Sequence, residues 1–166
     1  YRRHGAQHAR RLAKADGKIP VLAHEASDVA CMVTSARAKM AASPDLLGLG
    51  PLLAERTILW QHEDAYLRCR PDWISADHRV ILSVKTTRAS AEPDAFLRVI
   101  LGSGHDVQAG FELAGVKAAT GVDPTHYIWL VVETDPPFAC SLIGLSHMLR
   151  DLAMRKFGRA VALMSH

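Results

Sequence analysis

Cysteine is scarce. Cys31, Cys69 and Cys140 stand far apart, with no Cys-x-x-Cys pair among them. That spacing argues against a disulfide framework and against a zinc site, and it suits a reducing compartment. No apolar run is long enough to cross a bilayer and no signal peptide is visible, so no membrane partner is expected. The net charge is small as well: 20 Lys and Arg against 17 Asp and Glu leave +3. Any anion-binding surface must therefore come from where the charges sit rather than from their sum. There is no P-loop, no Gly-x-Gly-x-x-Gly and no zinc-ligand spacing. Internal repeats and low-complexity stretches are absent too.

What is there is an ordinary globular composition, nearly half apolar, in 166 residues. That length predicts one domain over residues 1–166, large enough for a proper core and too small for two. The chain begins at Tyr1 rather than Met, and the expectation is a fragment with an upstream part of its core missing.

The stretch from Asp72 to Lys85 organises the rest. It reads as two strands joined by a turn at Asp77-His78. The second strand, Val80 to Thr87, is apolar enough to be covered on both faces. Alternation places Ile81, Ser83, Lys85 and Thr87 on one face and Val80, Leu82, Val84 and Thr86 on the other. A lysine inside such a strand is costly to bury without a compensating group, and Asp72 at the end of the preceding strand is the first candidate.

Around it, residues 4 to 17 read as a basic helix ended by Gly17. His4 and His8 lie one turn apart on it; the ordinary reading is an exposed polar face. Ile19 to Leu22 is a short extended link. Residues 24 to 41 predict a helix with Val29, Val33, Ala36 and Met40 as its buried stripe. Ser43 to Gly50 is a loop. Glu55 to His62 and Ala65 to Asp72 predict a hairpin turning at Glu63-Asp64. Arg68 and Arg70 on it either face solvent or hold phosphate. Arg88 to Ser90 opens a loop into a helix over about 92 to 101, with Pro93 in its first turn. Gly102-Ser103-Gly104 separates that from a helix over about 105 to 119. His126 to Thr134 is a second near-continuous apolar strand, Phe138 to Ile143 an edge strand, and Leu145 to Leu163 a closing helix. Strands alternating with helices predict an α/β domain with a mixed central sheet sandwiched by helices. Ser83, His105 and Asp72 invite a serine-nucleophile reading, but no Gly-x-Ser-x-Gly elbow surrounds Ser83.

Pro71-Asp72 followed by Ser83-Val84-Lys85 resembles the PD-(D/E)xK nuclease motif. A longer ordered series carries the likeness further: Cys69-Arg70-Pro71-Asp72, Lys85-Thr86-Thr87, Asp94-Ala95-Phe96 and His105-Asp106-Val107-Gln108-Ala109. Over roughly residues 18 to 164 the chain resembles the exonuclease VIII (RecE-type) branch of phage recombination nucleases. That resemblance implies a restriction-endonuclease-like core, with the mixed sheet flanked by helices on both faces. It implies Mg²⁺ or Mn²⁺ held by Asp72, Ser83, the Val84 carbonyl and Glu55, and Lys85 and Gln108 as catalytic groups. Arg70, Thr86, Thr87 and Arg88 would meet DNA. It also implies exonucleolytic hydrolysis of linear duplex DNA with a free end, 5′ to 3′. A ring-shaped homo-oligomer, a single-strand annealing protein as partner and a cytoplasmic setting, bacterial or phage-encoded, complete the picture.

The chain departs from that pattern twice. Ser83 stands where an acid is expected two residues before the lysine. Glu112 stands where the Gln-x-x-x-Tyr element that begins at Gln108 has its tyrosine. A hydroxyl in place of a carboxylate weakens a Mg²⁺ site, because ligand charge largely sets affinity for hard cations. Three readings of Ser83 stand: an engineered substitution, a degenerate relative that still binds DNA, or an active site completed by another acid, Glu55 or Glu112. The alternative function is thus a catalytically impaired DNA-binding or interaction module.

Overall fold

A computed structural model of the chain describes residues 20–47 and 49–164, with Arg11, Lys14, Asp16 and Gly17. His4, His8 and most of the predicted 4–17 helix lie outside the described residues. Seven strands, β1 (Leu52–Ala54), β2 (Ile58–His62), β3 (Ala65–Cys69), β4 (Trp73–Ser75), β5 (Val80–Thr87), β6 (His126–Glu133) and β7 (Cys140–Gly144), form two sheets. The larger has the order β1-β4-β5-β6-β7, and β2 pairs only with β3. The helices are α1 (Ala23–Ala41), α2 (Pro44–Leu47), α3 (Pro93–Gly102), α4 (His105–Thr120) and α5 (His147–Met164).

β5 holds the sheet together because it is paired along both edges. It runs antiparallel to β4 and parallel to β6 from Val80↔His126 to Thr87↔Glu133. A parallel pair needs a crossover, and α3 and α4 provide it. Its first four residues, Val80 to Ser83, are all buried, as its apolar run predicts. The turn before it is tied by polar side chains: Ser75 Oγ donates to Asp77 Oδ1 at 2.6 Å and accepts from the Val80 N–H at 2.9 Å. That allows His78 its φ of 61°.

The two faces of the sheet are covered unequally. On one, Ile81, Tyr127, Trp129 and Val131 pack with Phe96 and Ile100 of α3, Leu113 and Val116 of α4, and Phe157 and Val161 of α5. On the other, Leu82, Leu130 and Val132 meet Met32, Ala36 and Met40 of α1. The fold class is therefore the predicted one, an α/β mixed sheet with helices on both faces.

Four local expectations change, the simplest being the Ser43–Gly50 loop, in which Pro44–Leu47 forms helix α2. Half of the expected α1 stripe stands: Ala36 and Met40 pack on the sheet, while Val29 is 53% and Val33 41% exposed, and Met32 packs inward in their place. α1 has no fully buried residue, so helical spacing alone did not fix which side meets the sheet. The strand predicted to run from Ala65 to Asp72 ends at Cys69. β3 stays with β2, and the chain bends at Arg70-Pro71-Asp72 before β4 joins the main sheet. Pro71 lacks the N–H that an uninterrupted ladder would need. The strand expected from Glu55 to His62 begins only at Ile58, and a short strand not expected from the sequence, β1, precedes Glu55, whose φ is 51°.

The β2–β3 hairpin lies on α4. A Cβ at Gly115 would sit 2.8 Å from Cys69 Sγ and 2.8 Å from the Trp60 ring, so only glycine admits that approach. Gly121, at φ 74°, ends α4, its N–H donating to the Lys117 carbonyl at 2.9 Å.

Candidate active site

The β4–β5 register sets the site. Trp73 is opposite Leu82 and Ile74 opposite Ile81, so Asp72, one residue before β4, arrives beside Ser83. Asp72 Oδ2 accepts from the Val84 main-chain N–H at 2.7 Å and from Ser83 Oγ at 3.2 Å. Lys85 Nζ donates to the same Ser83 Oγ at 3.0 Å. Ser83 is fully buried, whereas Asp72 and Lys85 are partly exposed, so the group opens to solvent at its charged end. In an extended strand a residue's N–H and C=O point to the same side. The Val84 carbonyl therefore shares the edge that Asp72 occupies.

Helix α4 closes the site from the core side. Glu112 is 3% exposed, and each of its oxygens accepts a hydrogen bond: Oε1 from Gln108 Nε2 at 2.7 Å, Oε2 from the Tyr127 hydroxyl at 2.9 Å. Two bonded groups result: Asp72, Ser83, Val84 and Lys85 on the β4–β5 edge, and Tyr127, Glu112 and Gln108 between β6 and α4. Tyr127 is opposite Ile81 in the β5–β6 register, on the face that carries Ser83 and Lys85. Burial pushes the Glu112 carboxyl above the usual carboxylate range. Its bonds to Gln108 and Tyr127 and the Lys85 charge oppose this, and the Asp72 charge adds to it. Burial, then Glu112, hold the Tyr127 hydroxyl well above the tyrosine range. His105, at the start of α4, is pushed down by burial and then by the Lys85 ammonium, with Asp106 acting the other way.

Of the sequence-derived candidates, Asp72, Ser83, Val84 and Lys85 come together directly, while Gln108 is bonded to Glu112 on α4. The others lie apart. Glu55 is attached through its backbone, its N–H donating to the Asp72 carbonyl at 2.9 Å. Its carboxylate, 57% exposed, is turned to Arg70 Nε at 2.8 Å. Arg70 is thereby engaged by Glu55. Thr86 is exposed on the opposite face, beside α1. Thr87 Oγ1 accepts from the Ala89 N–H at 3.0 Å, and Arg88 is exposed in the loop that follows. Tyr127 and His105 were not singled out as site residues. Tyr127 carried a signal: a phenol in a buried strand has to find a partner for its hydroxyl.

The donors gathered here are all hard oxygens: the Asp72 carboxylate, the Ser83 hydroxyl and the Val84 main-chain carbonyl. Among the described residues no cluster of three His, Cys, Asp or Glu side chains is placed to hold a metal ion. This set fits Mg²⁺ or Mn²⁺ better than zinc, since Mg²⁺ keeps several waters and uses only one or two protein carboxylates. Asp72, the Val84 carbonyl and Ser83 are the residues that would hold it.

No protein-family model matches the chain, and no curated protein matches it. Among solved structures, the fold is shared with a protein of Eubacterium rectale provisionally named an exonuclease. The TM-score is 0.60 at 11% identity, over 80% of this chain and 52% of the other. The chain thus spans about half the length of that structure. Among the described residues no helix is long and apolar enough to cross a membrane.

Proposed function

We propose that this chain is a metal-dependent nuclease, specifically an exonuclease that hydrolyses phosphodiester bonds of linear duplex DNA from a free end, 5′ to 3′. The observation that carries the reading is the convergence on Ser83: a carboxylate and an ammonium from neighbouring strands meet on one hydroxyl at the open end of β5. The provisional name of the structural neighbour and the ordered motifs of the exonuclease VIII-type branch support it. The RecE-type branch, the ring assembly, the annealing-protein partner and the cytoplasmic setting belong to the same proposal.

The residues divide the work as follows. Asp72, fixed by the Val84 N–H, would hold a divalent cation together with the Val84 carbonyl. When bound, that cation supplies Lewis acidity at the scissile phosphate and a more acidic water. Lys85 orients the attacking water and offsets the negative charge that develops on the phosphate. Gln108 is held by Glu112 through its amide nitrogen, which leaves its carbonyl oxygen to position water. Arg70, Thr86, Thr87, Arg88 and Glu55 are proposed to act on DNA or at the rim of the site.

One observation favours a second reading. Ser83 offers no charge where a carboxylate is expected, which fits a catalytically impaired DNA-binding module on the same fold. End-labelled linear duplex incubated with Mg²⁺ or Mn²⁺ separates the two. Release of 5′-terminal nucleotides, stopped by a chelator, is the expected result. Retention of intact duplex in a band-shift assay, with no cleavage in either metal, would leave only the binding module.

A further inference from the structure

The β2–β3 hairpin has two unlike faces. Ile58, Trp60, Leu67 and Cys69 turn inward to the core, and alternation leaves Thr57, Leu59, Gln61, Tyr66, Arg68 and Arg70 outward. Tyr66 is 85% and Leu59 71% exposed. We infer that this outer face is a subsite for single-stranded nucleic acid, with Arg68 taking a phosphate and Tyr66 stacking on the neighbouring base. The class of ligand rests on the nuclease reading, to which the hairpin adds a place for the strand that leads to Asp72.

Three features carry the inference. The first is a recess. Thr57, Arg68, Cys69 and Arg70 line a cavity of about 350 Å³ at the end of the hairpin away from its turn. Ile58 pairs with Cys69, so Thr57 stands opposite Arg70. Two guanidinium groups and a hydroxyl around one hollow make a donor set suited to a phosphate. Arg70 is engaged by Glu55 at 2.8 Å, but among the described residues Arg68 has no hydrogen-bond or ion-pair partner. Arg68 is therefore open to an anion.

The second is a stacking surface beside that recess. Leu59 faces Arg68 across the ladder and Gln61 faces Tyr66, which puts Tyr66 diagonal to Leu59. Tyr66 and Arg68 are one same-face step apart along β3, about 7 Å. Scattered apolar side chains are ordinary on a surface. A phenol, a leucine and a cation side by side on one ribbon instead form the kind of platform on which single strands are held without sequence readout. The bases of a duplex are stacked on one another, so a frayed strand is the ligand that can use such a ring. A protein partner would need a far larger apolar core than two side chains.

The third is polarity. Around the recess Arg56, Arg68 and Arg70 stand against Glu55, whereas the turn carries Glu63 and Asp64. The hairpin thus attracts phosphate at the end near the site and repels it at the tip. β3 leads through Arg70 and Pro71 to Asp72, and the four residues from Arg68 to Asp72 span at most about 14 Å. The hairpin also packs on α4, which covers the sheet face that bears Ser83 and Lys85. A strand bound at Arg68 is thereby a few nucleotides from the proposed cation site.

Fluorescence anisotropy with a labelled oligothymidylate of roughly 12 nucleotides, in EDTA so that nothing is cut, tests this apart from catalysis. The proteins compared are the wild type, Tyr66→Ala, Tyr66→Phe, Arg68→Ala and Arg68→Lys. Both positions are exposed, and melting curves verify that each variant is folded. Tyr66→Ala is expected to weaken binding about 5- to 100-fold, and Tyr66→Phe, which keeps the ring, to retain it. Arg68→Ala is expected to weaken binding and to reduce the slope of log affinity against log salt by about 0.7, whereas Arg68→Lys keeps the slope. Wild-type affinity in both alanine variants overturns the inference, and the nuclease reading then stands if linear duplex is still degraded. Losses in the alanine variants, with no degradation of DNA by the wild type, uphold the subsite and overturn the nuclease reading. Unchanged affinity together with loss of self-association in Tyr66→Ala, read by gel filtration, overturns the inference and assigns the face to contact between copies. No binding of the oligonucleotide by the wild type overturns it as well.

Discussion

Asp72 and the main-chain nitrogen of Val84, twelve residues apart in the chain, are joined by a 2.7 Å hydrogen bond. The bond does two things. It continues the β4–β5 edge by one step before Trp73, the first paired residue of β4, and it fixes one carboxylate oxygen. Structure and proposed chemistry therefore depend on the same side chain, and substitutions can separate them.

Asp72→Asn keeps an acceptor for the Val84 N–H, so its melting temperature stays near that of the wild type while metal-dependent cleavage is lost. Asp72→Ala removes the acceptor as well and costs about 1–3 kcal/mol of stability. Parallel urea titrations and cleavage assays check the pair. Equal destabilisation by both substitutions would mean that the Val84 bond contributes little.

The imidazole of His105 is pushed below its usual 6.5 by burial and by Lys85. Between that depressed folded value and 6.5 the unfolded chain binds more protons than the folded one. The stability linked to His105 is thus complete above the unfolded pKa and is lost as the pH falls toward the folded one. Urea midpoints measured between about pH 5 and 7 should fall with acidification, and His105→Gln should flatten that slope. An unchanged slope would assign the acid sensitivity to other groups.

The three cysteines should react in order of exposure and acidity. Cys31 is exposed, burial raises Cys140, and burial followed by the Glu112 charge pushes Cys69 up to about 12. Iodoacetamide at neutral pH, followed by mass spectrometry, is expected to label Cys31 first and Cys69 last. Rapid labelling of Cys69 would be incompatible with the hairpin seated on α4.

α4 and α5 approach closely at Gly110, where an added Cβ would lie 2.5 Å from the Ala153 carbonyl oxygen. A backbone atom in the middle of a helix yields little. Gly110→Ala is therefore expected to destabilise the fold by about 1–3 kcal/mol, read as a lowered denaturation midpoint.

How much of this was legible in the sequence depended on whether one element or several decided the outcome. Val80 to Thr87 and His126 to Thr134 could be read as central strands because their apolar runs are long, and the first pairs with the second in parallel. Lys85 and Asp72 could be read because a charge in or beside such a run demands a partner. The sidedness of α1 could not: Val29 and Met32 are both apolar, and the sheet decides which is covered. Nor could the break at Pro71, since Ala65 to Asp72 alternates like one strand while β3 ends at Cys69 and the main sheet is joined only from Trp73. Glu112 was visible as a departure from the Gln-x-x-x-Tyr element. Its bond to Gln108 lies within α4, whereas its bond to Tyr127 required the crossover that lays α4 over β6.

The proposed nuclease site is tested most directly by giving the wild type and Lys85→Ala the same DNA, linear and covalently closed, with Mg²⁺. The account predicts that the wild type degrades the linear duplex and spares the closed circle. It also predicts that Lys85→Ala, folded by its circular dichroism, is slower by about 100-fold or more. Degradation by Lys85→Ala at the wild-type rate, or no degradation of the linear duplex by the wild type, would contradict it.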